Sequence, residues 1–172
     1  LWFAMLMAAT LAAAEYEAPE GYLSDFARVV DASSRAELEA ICGKFERATG
    51  VQLAFVTVPT TGDQPIDDFA NKLAIKWGVG QKGKNEGLLV LFAINDRKSR
   101  VEVGYGLEEF LPDGMVGRTL RANRESLQQG QYGAAFVSIA QTFAGQIARG
   151  KGVSFDQDDP VAGPENPLAG WM

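Results

Sequence analysis

The chain runs to 172 residues with a formal net charge of −6, one cysteine and no histidine. That length suits one domain with tails and a full core, and the acidic balance, with no long basic cluster, argues against a nucleic-acid partner. Lack of His excludes a Ser-His-Asp triad, a phosphohistidine, His-ligated zinc and a His-held haem, and the lone Cys42 excludes an internal disulfide and a Cys-rich zinc site.

Leu1 to Leu11 is an apolar run followed by Ala12-Ala13-Ala14-Glu15. This is the h-region and small-residue cleavage pattern of a secretory signal. A membrane anchor is the alternative, although the visible run is short for a span. Residues 1–14 therefore read as a signal-peptide remnant, 15–21 as a Pro/Gly linker and 22–150 as the folded domain.

Ser34-x-x-Glu37 has the form of a capping box and predicts the start of helix one. Its apolar stripe is Leu38, Ile41, Cys42, Phe45 and Ala48, and Gly50 ends it. Cys42 on that stripe reads as a small core residue. A Cys phosphatase loop would place Arg six positions on, where this chain has Ala48. Val51 to Val58 predicts a buried strand. Ile66, Phe69, Leu73 and Trp77 mark one face of helix two, with Asp67 and Asp68 in its favourable first turn.

Leu88 to Ile94 is wholly apolar, as in a central strand covered on both faces. The short link Asn95–Ser99 and the alternating Arg100–Gly104 predict an antiparallel hairpin. Asp113 is placed to cap helix three, with Met115, Val116 and Leu120 inward and a break at Gln128-Gln129-Gly130. Helix four runs from about Tyr132 to Arg149. The order predicts an α/β fold, a three-layer α/β/α sandwich with a Rossmann-like central mixed sheet of about four strands. Residues 151–172 are acidic and rich in Pro and Gly, a tether that ends in Trp171-Met172 and points to a transmembrane helix beyond.

Ligands of open α/β sheets gather at the carboxyl ends of the strands. Asp25, Asp96 and Asp113 are expected to converge there, with Glu86 in the glycine-rich loop as a further metal ligand and Glu108 as another candidate. Without His or a reactive Cys, such a set suits a hard cation such as calcium. Lys84, Arg97 and Arg100 could form an anion pocket with the amides of the Gly78–Gly87 loop. Asp96 and Arg97 are the candidates for catalysis, in a metal-assisted attack on a phosphoryl group. Each residue also has an ordinary role: Asp113 as a helix cap, Asp96 as a turn residue, Asp25 as an anchor for the N-terminal segment, and Arg97, Lys98 and Arg100 as a charged sheet edge. No nucleotide fingerprint is present, and no haem or zinc is expected.

Several segments in order carry a resemblance. They are Leu23-Ser24-Asp25-Phe26, Trp77-Gly78-Val79-Gly80, the apolar strand, Asp96-Arg97-Lys98, and Gly104-Tyr105-Gly106-Leu107-Glu108. Over about residues 22–149 the chain resembles the TPM domain, a family of bacterial envelope and thylakoid-lumen proteins. It departs where the family often has Asp-Asn, here Asn85-Glu86, and Gly-Asp-Tyr, here Gly130-Gln131-Tyr132. The resemblance implies an exported domain at the cell envelope or periplasm, anchored to the inner or plasma membrane, whose partners are membrane proteins during assembly, repair or turnover. It also implies calcium binding or, alternatively, an acid phosphatase acting on phosphomonoesters. A third reading is a structural interaction module without a site.

Overall fold

The computed structural model describes residues 16, 18–80 and 84–155. The signal-like run 1–14 and most of the acidic tether lie outside them. Among the described residues no helix is long and apolar enough to cross a membrane.

The sheet has four strands in the order β1 (Leu23–Asp25), β2 (Gln52–Val58), β3 (Gly87–Ala93) and β4 (Lys98–Val103). The first three are parallel, and β4 returns antiparallel after a tight turn. β2 and β3 are buried along their whole length, β3 as an unbroken apolar run and β2 with the polar Gln52 and Thr57 buried among its apolar residues. β4 is only partly buried, with Val101 its one buried residue, as suits a strand at the edge of the sheet. Two helices serve as crossovers, α1 (Ala32–Thr49) and α2 (Ile66–Trp77). Three more, α3 (Asp113–Ala122), α4 (Arg124–Gln128) and α5 (Tyr132–Lys151), follow the sheet.

Side chains alternate across the strands and split the core in two. Leu53, Phe55, Leu88, Val90 and Phe92 pack against α1 and α5. Ala54, Val56, Leu89 and Leu91 pack against Ala70, Leu73 and Trp77 of α2. The expected three-layer α/β/α sandwich with a mixed sheet is therefore what forms. One detail breaks a general rule. The strands run in sequence order, yet α1 and α2 lie on opposite faces. Two crossovers stepping in one direction onto opposite faces must have opposite hands, so one is left-handed, against the strong right-handed preference.

Three local expectations need correction. The cap of α1 is Asp31, whose Oδ1 accepts from the Ser34 N–H at 2.9 Å, so Ser34 lies inside the helix. A carboxylate three residues upstream displaces the weaker hydroxyl acceptor, and the bond holds Asp31 below its usual carboxylate range. Asp113 is the first residue of α3 rather than its cap, which is Pro112. Helix three also breaks earlier than expected, at Asn123, whose side-chain amide donates back to the Thr119 carbonyl. Cys42 is a fully buried core residue, and burial pushes its thiol well up.

Candidate anion-binding cleft

The carboxylates singled out in the sequence are each engaged or placed separately and do not meet as one group. Asp25 ends β1 and is buried. Its oxygens accept from the Val29 and Val30 N–H groups and the Thr57 hydroxyl, and Arg35 lies 3.7 Å away. It anchors the chain where it leaves β1. Asp96 lies in the β3–β4 turn, where it accepts from the Thr60 hydroxyl at 2.8 Å and the Thr61 N–H at 2.9 Å. These bonds, with nearby Lys98, hold its carboxyl below the usual range. Asp96 thus ties the loop after β2 to the turn after β3.

Glu86 precedes β3, whereas Asp96 follows it. A strand of this length separates them by roughly 20 Å. Glu86 is paired instead with Lys151 at the end of α5, at 2.8 Å. Asp113 opens α3 near Arg100, and Glu108 is an exposed residue just after the Tyr105–Leu107 turn. No three carboxylates among the described residues come together as a metal-holding group.

The expected cation trio is dispersed too. Lys84 is exposed at the start of the Asn85–Gly87 segment, at the amino end of β3. Arg100 is engaged by Glu102 at 2.7 Å and by Asp67 of α2 at 3.4 Å. In the glycine loop the Gly80 N–H is already donated to the Gln52 side chain at 2.8 Å. Residues 81–83 of that loop lie outside the described region.

Arg97, of this trio, lines a cleft. A cleft of about 680 Å³ opens at the carboxyl end of β3, between the β3–β4 turn and the helices α3, α4 and α5. Arg97 and Lys98 enter from the turn, and Arg121 and Arg124 from the α3–α4 junction. Phe92, Leu120, Leu127 and Tyr132 supply an apolar floor. Tyr132 and Phe92 both stack on Phe136, which fixes that floor. No residue lining the cleft is acidic. Arg97 holds a left-handed backbone with φ of 52°, an uncommon state for a side-chain-bearing residue.

Four cations around one concavity raise the local positive potential and suit an anion. Three of them are arginines, whose planar forks match carboxylate and phosphate oxygens. Arg121 and Arg124 were not among the residues expected to form a site. The available signal was the run Arg118, Arg121 and Arg124, a cation at every third position.

The TPM domain model matches residues 23–146. The chain belongs to the TPM domain family. The N-terminal domain of a Porphyromonas gingivalis protein, known from solution NMR, is 29% identical, with 81% of this chain and 86% of that one covered and a TM-score of 0.68. The BA42 protein of the psychrophile Bizionia argentinensis is 16% identical with a TM-score of 0.60, covering 70% of this chain and 82% of its own. The N-terminal domain of Corynebacterium glutamicum cg2496 is 11% identical with a TM-score of 0.57, covering 86% of this chain and 88% of its own. The last two share the fold alone. No curated protein matches this TPM domain chain.

Proposed function

We propose that this TPM domain is an exported, membrane-tethered anion-recognition module that acts by binding rather than by turnover. The observation that carries the reading is the cleft itself, with Arg97, Lys98, Arg121 and Arg124 around an apolar floor and no lining carboxylate. Hydrolysis of a phosphoester fits this arrangement less well. The candidate base or nucleophile is Asp96, whose oxygens accept from Thr60 and Thr61 and whose carboxyl is held low. So weak a base is poorly matched to proton abstraction near neutral pH.

The test is a thermal melt of the full chain with and without citrate as a generic small anion. Citrate raises Tm by mass action on the folded state, and the rise is lost in Arg97→Ala/Arg121→Ala. Equal rises in wild type and variant would place anion binding elsewhere. Calcium in the same assay tests the cation expectation: a rise lost in Asp96→Ala would move the site to that carboxylate.

A further inference from the structure

The course of the chain says which way the cleft faces. α5 begins at Tyr132 in the cleft floor and ends at Lys151, paired with Glu86 just before β3. Its 20 residues span about 30 Å. Phe155, the last described residue, packs edge-on against Phe45, near the end of α1. At the other terminus, the Tyr16 carbonyl accepts from the indole N–H of Trp77, the last residue of α2. The ring of Tyr16 packs on Phe26 and Phe69. α1 and α2 both run back from the carboxyl ends of the strands toward the amino ends. The carboxy-terminal end of the described chain therefore leaves at the amino edge of the sheet, whereas Tyr16, held between Trp77 and the carboxyl-side Phe26 and Phe69, lies on the α2 face, and the cleft opens at the carboxyl edge.

We propose that the cleft receives an acidic segment of a partner protein, with carboxylates flanking an apolar side chain. This rests on the anion-recognition reading above and names its ligand class. A surface to which the chain following Phe155 is fixed meets the opposite edge of the domain, so the cleft faces away from it, toward a partner. Arg97, Lys98, Arg121 and Arg124 are exposed at the rim, and the apolar residues lie beneath them. A polar rim around an apolar centre is the layout of a protein interface. A basic island on a chain of net charge −6 also attracts an acidic segment there and repels it elsewhere.

The experiment follows a short fluorescent peptide, aspartates around one leucine, by anisotropy on the full chain. Binding weakens with salt, falls about tenfold or more in Arg121→Ala/Arg124→Ala, and falls again when the peptide's leucine becomes serine. Replacing the peptide's aspartates by asparagines abolishes binding without touching the protein, so the result does not hinge on a variant's folding. Failure of the peptide to bind while citrate still raises Tm overturns the peptide proposal and leaves the anion reading intact. Failure of both overturns both. Phosphatidylglycerol-rich vesicles that sediment the chain through Arg121 and Arg124, without competition from the peptide, would assign the cleft to a lipid surface and overturn the proposal.

Discussion

The two edges of the sheet are built on opposite principles. At the amino edge, groups are used up on one another. The Tyr22 hydroxyl donates to Glu46 at 2.6 Å, the Gln52 amide reaches Glu46 and accepts from Gly80, and Glu86 holds Lys151. Burial and Glu46 push the Tyr22 phenol well up, so it stays a neutral donor. At the carboxyl edge, Arg97, Lys98, Arg121 and Arg124 face an open cleft. A closed network positions the chain, and unspent charge around a concavity leaves interaction energy for a ligand. The glycine-rich stretch that dominates the sequence belongs to the first kind. Two of the four cations that line the second, Arg121 and Arg124, were inconspicuous.

The strongest test of that contrast is Gly80→Ala. Gly80 has a φ of 73°, and a Cβ there would lie 2.2 Å from the Gly87 backbone nitrogen. Neither backbone can yield without breaking the Gln52 bond or the start of β3. We expect a loss of about 3 kcal/mol or more in urea unfolding, or no folded protein. A loss under about 1 kcal/mol would show that the amino edge is pliable and not a frame.

A smaller loss is expected from Asp25→Ala. It strips acceptors from the Val29 and Val30 N–H groups and the Thr57 hydroxyl. About 2–4 kcal/mol of stability should go, with Asn recovering part of it. Urea midpoints of the two variants check this. Asp25 is a carboxyl-edge residue that has been closed off, so citrate protection should survive in Asp25→Asn. Loss of that protection would tie Asp25 to the cleft.

Much of the fold was legible because it is written locally. The apolar run Leu88–Ile94, the hairpin after it and the stripes of α1, α2 and α5 each follow from periodicity. The errors were local competitions: Asp31 over Ser34 for the cap of α1, and Asn123 ending α3 before the glycine that follows. The site was less legible because it is assembled from two segments, the turn carrying Arg97 and Lys98 and the junction carrying Arg121 and Arg124. Nothing local says that α3 and α4 return over the end of β3. The carboxylates misled for the same reason. Glu86 and Asp96 are near in sequence, but the strand between them sends them to opposite edges.

The gentlest test concerns Asp96, which is half-buried and bonded to Thr60 and Thr61. Its folded-state carboxyl sits below its unfolded value. Its contribution to stability is therefore fully present above the unfolded pKa, about 3.9, and is lost as pH falls through the lower folded value. Asp96→Asn removes the charge and keeps a side chain of the same size. The variant should melt slightly below wild type at pH 7. The gap should hold down to about pH 5 and close below about pH 4, as the wild-type carboxyl protonates. Melts in dilute sodium chloride with the pH set by hydrochloric acid, free of the carboxylate and phosphate anions the cleft is proposed to bind, give the comparison. A gap that widens on acidification would mean that Asp96 is destabilising as an anion. The Thr60–Thr61 link would then not be what fixes the loop after β2 against the turn that presents Arg97.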